Sequence, residues 1–393
     1  MKRTLIPVGP FHPIMEEPEF FQLYVEGETI VDVDVRLSYN HRGIEKRCEE
    51  LTYDQIPFIL ARICGICSGS HPCAFCQAVE DVAGIEVPRR GRLLRTIILE
   101  LERIHSHLLW AGLAGHFIGY NTVFMWAWRY REPVLDLCER ITGNRNHYDN
   151  FCVGGCRRDI PDEAIPDIRR TVKDIVGPLE MLIGAVLDDP VLSARLKGIG
   201  VLKKEDAVRW CVTGPTARGS GVEQDIRRTE PYASYDEVPW NVVVRPEGDV
   251  FAKVVVRLLE TAESVKIILN CLDQMEPGPI RTDVLEIPEG EGIGHVEAPR
   301  GETFHYVLSD GTEKPVRYKV RAPTYVNLPS FKSSVVGAEL ADAMLIVAAM
   351  DPCYSCTERV AVMYRRRGET QTLSAQELLE KSWQKTERIR KAI

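Results

Sequence analysis

Arg62-Ile63-Cys64-Gly65-Ile66-Cys67-Ser68 and Asp351-Pro352-Cys353-Tyr354-Ser355-Cys356-Thr357 each contain a Cys-x-x-Cys turn, and the reading of these two stretches decides the fold. In such a turn two sulfurs converge on one metal without straining the backbone. Soft thiolates favour zinc, nickel, iron or an iron–sulfur cluster. Pairs from distant parts of the chain would complete a four-sulfur shell and tie both ends of the fold together. On spacing alone, structural zinc is the default, with a redox metal and unrelated buried thiols as alternatives. Cys73 and Cys76 form a further pair close behind the first. On a helix over 68–82 they share one face, which favours packing over a second, local metal centre.

The rest of the composition limits the function classes. A chain of 393 residues, 45% hydrophobic and 27% charged, has room for two or three globular units around a large core. A net charge of -8 argues against a nucleic-acid partner. No apolar run approaches the roughly 20 residues that span a bilayer, and 345–350 is far too short. A membrane role therefore needs partner subunits as anchor. Met1-Lys2-Arg3 and residues 4–10 lack the apolar core and cleavage site of a signal peptide. The 12 cysteines then read as metal ligands or buried thiols rather than a disulfide framework.

Outward from the cysteines, residues 20–36 alternate around Gly27 and predict a hairpin. Ile56, Ile59, Leu60 and Ile63 lead helically into the first pair. Helices are expected over 68–82, 92–113 (apolar all round, hence buried), 122–142, 165–186 and 250–274, which suggests a central bundle. Residues 304–321 read as two strands joined at Ser309-Asp310-Gly311. An Ala-rich helix over 333–350 delivers the second pair. Past Arg359 come a strand near 360–363, a basic run at 365–367 and a polar helix over 374–392. The expected fold is α+β and predominantly helical. Its parts are an N-terminal α+β unit (1–55), a helical bundle with the first pair (56–275), a hairpin and helix with the second pair (276–359) and a C-terminal extension (360–393).

The flanking text separates the metals. Besides the cysteine stretches, the sequence holds Gly9-Pro10-Phe11-His12-Pro13, His41-Arg42-Gly43-Ile44-Glu45-Lys46, Glu100-Leu101-Glu102-Arg103-Ile104-His105 and Gly143-Asn144-Arg145. It also holds Gly154-Gly155-Cys156-Arg157-Arg158-Asp159, Arg218-Gly219-Ser220-Gly221, Asp225-Ile226-Arg227 and Glu297-Ala298-Pro299-Arg300-Gly301. Over nearly its whole length the chain resembles the large subunit of nickel–iron hydrogenases. It is most similar to the energy-converting, membrane-associated branch, itself similar to the quinone-site subunit of respiratory complex I. The complex I relatives lack the four cysteines and bind no nickel, whereas this chain has all four.

The resemblance implies roles for particular residues. Cys64 and Cys353 would be terminal thiolates on nickel, and Cys67 and Cys356 would bridge to an iron carrying carbon monoxide and cyanide. Dihydrogen would be cleaved heterolytically, or made from protons and electrons. Arg300 would hang over the metals, and Pro329 and Ser330 would line the pocket, the serine donating to cyanide. His71 would turn back toward the Cys67 sulfur and tune it, whereas His105 and His107 read as structural. Glu17 would relay protons. Glu45, with a magnesium ion near it, and His12, which resembles a quinone-site histidine, would sit in the same region.

Implied partners are a small iron–sulfur subunit, a ferredoxin-like electron carrier, integral membrane ion-translocating subunits and a maturation endopeptidase. The endopeptidase would cut after Arg359 and release 360–393. The resemblance places such a subunit in the cytoplasm, peripheral on the inner face of the cell membrane. The alternatives are a complex I-like quinone-coupled subunit, a sulfur-reducing relative and a zinc-stabilised scaffold. Cys48, Cys138, Cys152, Cys156, Cys211 and Cys271 read as thiols without an assigned role.

Overall fold

Glycines alternate at 290, 292 and 294, so one face of the strand Glu289–Ala298 carries no side chain there. In this computed structural model that bare face lies directly on the helix Ser70–Ala83. A Cβ at Gly294 would fall on the Ala74 carbonyl oxygen, and one at Gly292 on that of Ala78. The close approach holds in place the helix that follows the first cysteine pair. The strand opens an antiparallel sheet continued by Gly301–Asp310 and Pro315–Arg321. The hairpin expected over 304–321 is thus the second half of a three-stranded sheet. Its first strand is poor in apolar side chains because close contact requires glycine. The structure describes residues 3–37, 39–357, 362–364, 369–371 and 375–391.

The chain is α+β and predominantly helical. The helix Arg89–Phe117 runs through its middle, packed on Asn121–Thr142 and Val250–Asp273. It is buried along most of its length, as its sequence predicts, but much of what it buries is charged. Those charges have answering partners. Glu100 meets Arg227 at 3.0 Å, Tyr235 at 2.6 Å and Ser264 at 2.5 Å. Nearby, Arg218 meets Glu260 at 2.6 Å and Glu297 at 2.7 Å. Removing one partner of such a buried pair costs about 3–5 kcal/mol, because the other is left uncompensated.

Two expected helices are broken, for different reasons. The stretch 165–186 divides into Ile165–Asp174 and Val176–Leu187. Pro178 lacks an N–H, and its ring opposes the carbonyl one turn back. The stretch 333–350 divides into Phe331–Val335, a short turn at Leu340–Asp342 and Ala343–Ala349. Gly337 sits at φ 92°, and the backbone there pairs with the N-terminal hairpin instead. Gly337 N–H donates to Ile30 O at 2.8 Å, and Ile30 N–H donates to Ala338 O at 2.9 Å.

That hairpin, Phe20–Glu26 with Thr29–Arg36, gains Thr4–Val8 as a third antiparallel strand. Its inward residues Phe21, Leu23, Val25 and Ile30 share a core with Phe331, Val335, Ile346 and Tyr354. The N-terminal sheet is thereby packed on the segment that leads to the second cysteine pair. In the tail, Val362–Tyr364 pairs with Glu369–Gln371, and Ala375–Arg390 is helical. The expected cut after Arg359 and the basic run 365–367 lie outside the described residues. Among the described residues no helix is long and apolar enough to cross a membrane.

Substituting Gly294→Ala should cost about 1–3 kcal/mol or more, since the clash is with backbone and no side chain can yield. Urea unfolding of the purified chain should show a lowered midpoint, whereas an unchanged midpoint would contradict the close packing.

Candidate metal centre

Helices begin with unpaired backbone N–H groups, and Ser70–Ala83 has no capping side chain of its own. The cap arrives from the central helix. Glu102 accepts from Gly69 N–H at 2.6 Å, from Ser70 N–H at 3.3 Å and from the Ser70 hydroxyl. Burial pushes the Glu102 carboxyl up to about 7, against the pull of those donors. Just upstream, the first cysteine turn is held by Ser68 Oγ donating to Cys64 O at 3.0 Å and by Tyr148 Oη donating to Ile66 O at 2.7 Å.

The second pair sits in a tight turn, Tyr354–Cys356, after Asp351 in the left-handed region at φ 55°. Thr324 Oγ1 accepts from Cys353 N–H at 3.0 Å. Arg42 joins the two cysteine loops. Its guanidinium donates to Arg62 O at 3.0 Å and Ile63 O at 2.7 Å on one side, and to Ser355 O at 3.1 Å on the other.

The sulfurs therefore meet. Cys353 and Cys356 Sγ lie 2.9 Å apart, and the Cys64, Cys353 and Cys356 sulfurs all fall within 4.8 Å of one another. Cys67 adjoins Cys356 and Cys64. All four are buried and free of disulfides. Hydrogen bonds from Cys353, Cys356 and Cys67 hold Cys64 well below the usual thiol range. A buried, all-sulfur donor set of this kind fits a soft transition metal and does not suit a hard oxygen-seeking cation.

The structure sorts the remaining expected residues. Arg300 is buried against the cluster, with Nη1 3.9 Å from Cys67 Sγ and 3.3 Å from Ser106 Oγ. Asp351 clamps it twice, through its carboxylate at 2.6 Å and its backbone carbonyl at 2.8 Å. Glu17 reaches the second loop, accepting from Ser355 N–H at 2.7 Å and from the Ser355 hydroxyl. Burial, followed by the charge on Cys64, raises its pKa. Glu17 and His12 also line an open pocket of about 340 Å³ with Phe11, Met15 and Glu16.

His71 departs from expectation. Its Nε2 lies 3.5 Å from Cys356 Sγ, across the site, and only its backbone N–H turns back to Cys67. Burial keeps His71 near 4, His105 near 3 and His107 near 4, so all three rings are neutral at ordinary pH. His105 accepts from Arg131 at 2.7 Å, and His107 meets Glu260 at 3.0 Å.

The pocket-lining expectation for Pro329 and Ser330 needs correction. Pro329 is not buried, and Ser330 turns its hydroxyl to Asn327 O at 2.7 Å, so the serine does not donate toward the sulfurs. The proline–hydroxyl pair that does adjoin Cys353 is Pro323-Thr324, slightly earlier in the chain, and its similar composition was the available signal. Glu45 docks on the strand Pro315–Arg321 through Lys319 at 2.6 Å and Val320 N–H at 3.0 Å. Among the described residues the one group of three or more clustered His, Cys, Asp or Glu side chains is at the cysteines, not at Glu45. Cys73, Cys76, Cys152 and Cys156 surround the buried Arg95–Glu80 pair, and this cation among them disfavours a second metal. Arg42, Asp351 and Thr324 escape a reading of the sequence because their roles rest on contacts between segments far apart in the chain.

Two family descriptions match the chain. "Respiratory-chain NADH dehydrogenase, 49 Kd subunit" covers residues 118–287 and 280–359, and "Nickel-dependent hydrogenase" covers 42–111. The membrane-bound hydrogenase subunit alpha of Pyrococcus furiosus is 41% identical over 98% of this chain and 93% of its own length. An NADH-quinone oxidoreductase subunit of Rhizobium etli is 38% identical over 89% of this chain and 94% of its own. Among solved structures, a chain of the membrane-bound sulfane sulfur reductase, an archaeal respiratory membrane complex, superposes with a TM-score of 0.86 at 33% identity. That match covers 91% of this chain and 98% of the other.

The neutral histidines set a pH dependence. Their folded pKa values lie below the unfolded value of about 6.5, so the unfolded chain binds protons first as pH falls. Their contribution is complete above about 6.5 and is lost as pH drops toward 4. Raised carboxyls such as Glu102 act in the opposite sense over the same range, so the rings themselves are the readout: in NMR titration His71, His105 and His107 should keep the shifts of neutral imidazole from about pH 8 to about pH 5.5, and protonation near 6.5 would contradict their burial.

Proposed function

The chain belongs to the family uniting the large subunits of nickel-dependent hydrogenases with the 49 kDa subunit of the respiratory-chain NADH dehydrogenase, and from this we propose that it is the catalytic subunit of a nickel–iron hydrogenase in a membrane-associated complex. The observation that carries the proposal is the convergence of Cys64, Cys67, Cys353 and Cys356 in a buried site with a clamped arginine against it. A nickel–iron centre with carbon monoxide and cyanide on iron, held by Cys64 and Cys353 as terminal and Cys67 and Cys356 as bridging thiolates, would supply the acceptor for heterolytic dihydrogen cleavage.

The residues around the sulfurs have separable tasks. Arg300 presents a fixed positive charge whose orientation Asp351 enforces, so its donors need not reorganise during turnover. Glu17 takes up the proton and passes it toward the open pocket. Its carboxylate is tethered to the loop of the second pair, burial raises its pKa, and it also lines the open pocket. His71 adjusts electron density on Cys356 by hydrogen bonding to the sulfur. Electrons travel between the site and a ferredoxin-like carrier through a small iron–sulfur subunit. Integral membrane subunits provide the anchor and ion translocation, and an endopeptidase matures the tail after Arg359.

The likeness to a chain of a sulfane sulfur reductase favours one other reading, reduction of sulfane sulfur on the same scaffold. Assaying the purified complex with one reduced donor for hydrogen release and for sulfane-sulfur reduction separates them. Hydrogen release is expected, and sulfur reduction without it would reject the hydrogenase. Glu17→Gln should retain nickel and iron while slowing hydrogen turnover by about 10²–10⁴-fold, the usual worth of a positioned acid–base group. Near wild-type rates would remove Glu17 from the relay.

A further inference from the structure

A line of buried hydrogen bonds runs from the metal site past His71 to two residues, His305 and Tyr318, that the mechanism above does not use. Cys356 Sγ lies 3.5 Å from His71 Nε2, and His71 Nδ1 lies 3.0 Å from His305 Nε2. His305 Nδ1 in turn lies 2.7 Å from Tyr318 Oη. His305 and Tyr318 stand on neighbouring strands of the C-terminal sheet, and both are fully buried. Each group in the line has a polar neighbour on either side except at its ends.

The line has a direction that the chemistry imposes. A thiolate that ligates a metal carries no proton and offers only lone pairs, so His71 must present Nε2–H to Cys356. The far end imposes the same direction, because among the described residues His305 Nδ1 is the one hydrogen-bond partner of the Tyr318 hydroxyl, which donates to it. His305 must therefore carry its hydrogen on Nε2, leaving Nδ1 as an acceptor. Only a donated phenol hydrogen satisfies that nitrogen. Two imidazoles 3.0 Å apart in a dry interior hold a single hydrogen between them, which excludes the doubly protonated form of the pair.

We propose that Tyr318 and His305 are positioning residues that fix the tautomer of His71 and so make it a permanent hydrogen-bond donor to Cys356. This deepens the nickel–iron reading and rests on it, since the direction follows from Cys356 being a metal-bound thiolate. Removing the phenol hydroxyl leaves His305 Nδ1 unsatisfied and the direction held by the thiolate alone, so the form with the hydrogen on Nδ1 gains population. In that form His71 has no hydrogen on Nε2, and the average hydrogen bond to the sulfur weakens. The electron density that Cys356 passes to iron rises as a result.

The test compares infrared bands of the carbon monoxide and cyanide on iron in the loaded wild-type enzyme and in Tyr318→Phe, with nickel and iron content measured in both. Tyr318→Phe keeps the ring that packs edge-on against Phe75. It should retain both metals and move the bands to lower frequency. Phe75→Leu loosens the same packing without touching a hydrogen bond and should leave the bands in place. Bands present in the wild type but unmoved in Tyr318→Phe, or moved equally by Phe75→Leu, would overturn this proposal alone. A wild type without such bands would overturn the nickel–iron reading and this proposal with it.

Discussion

Four sulfurs from opposite ends of a long chain must arrive at one buried point, and much of the architecture follows from that requirement. The first pair is fixed by helix Ser70–Ala83, which is capped by Glu102 and pressed against a glycine-faced strand. The second pair depends on the segment that shares a core with the N-terminal sheet. Arg42 closes the gap by holding carbonyls of both loops with one guanidinium. A planar group with several fixed donors suits this task, and a lysine could not reproduce it.

Burying this much charge is expensive unless each group is answered. The central helix carries Glu100, Glu102 and Arg103 into the interior, and the surrounding segments supply the counter-charges and hydroxyls. The same logic reaches the site, where Asp351 takes two edges of Arg300 and leaves Nη1 toward Cys67 and Ser106. Donors held in this way keep their orientation in a low-dielectric interior, where electrostatic effects are strong. Glu17 differs, since it touches both the cysteine loop and an open pocket. That double contact is what its proposed role as a proton link rests on.

Local patterns make the cysteine turns and the long helices legible from sequence, because periodicity and spacing are properties of neighbours. The helix expected over 333–350 fails because Ala-rich composition hides a glycine turn, and the backbone there pairs with residue 30, far away in the chain. The strand Glu289–Ala298 is invisible for the opposite reason, since its glycines serve contact with a helix rather than strand propensity. In the site, the cysteines and Arg300 can be named from their flanking residues. Which sulfur His71 faces, and that Thr324 rather than Ser330 adjoins Cys353, depend on how separate segments fold together.

The central claim is that these four thiolates hold nickel beside iron. X-ray absorption at the nickel edge of the mature protein tests it most directly. Stoichiometric nickel with a sulfur-dominated shell and an iron neighbour is expected, both lost when Cys64 or Cys353 is replaced by serine. A protein that contains zinc in a four-sulfur shell, with neither nickel nor an iron neighbour, would contradict it.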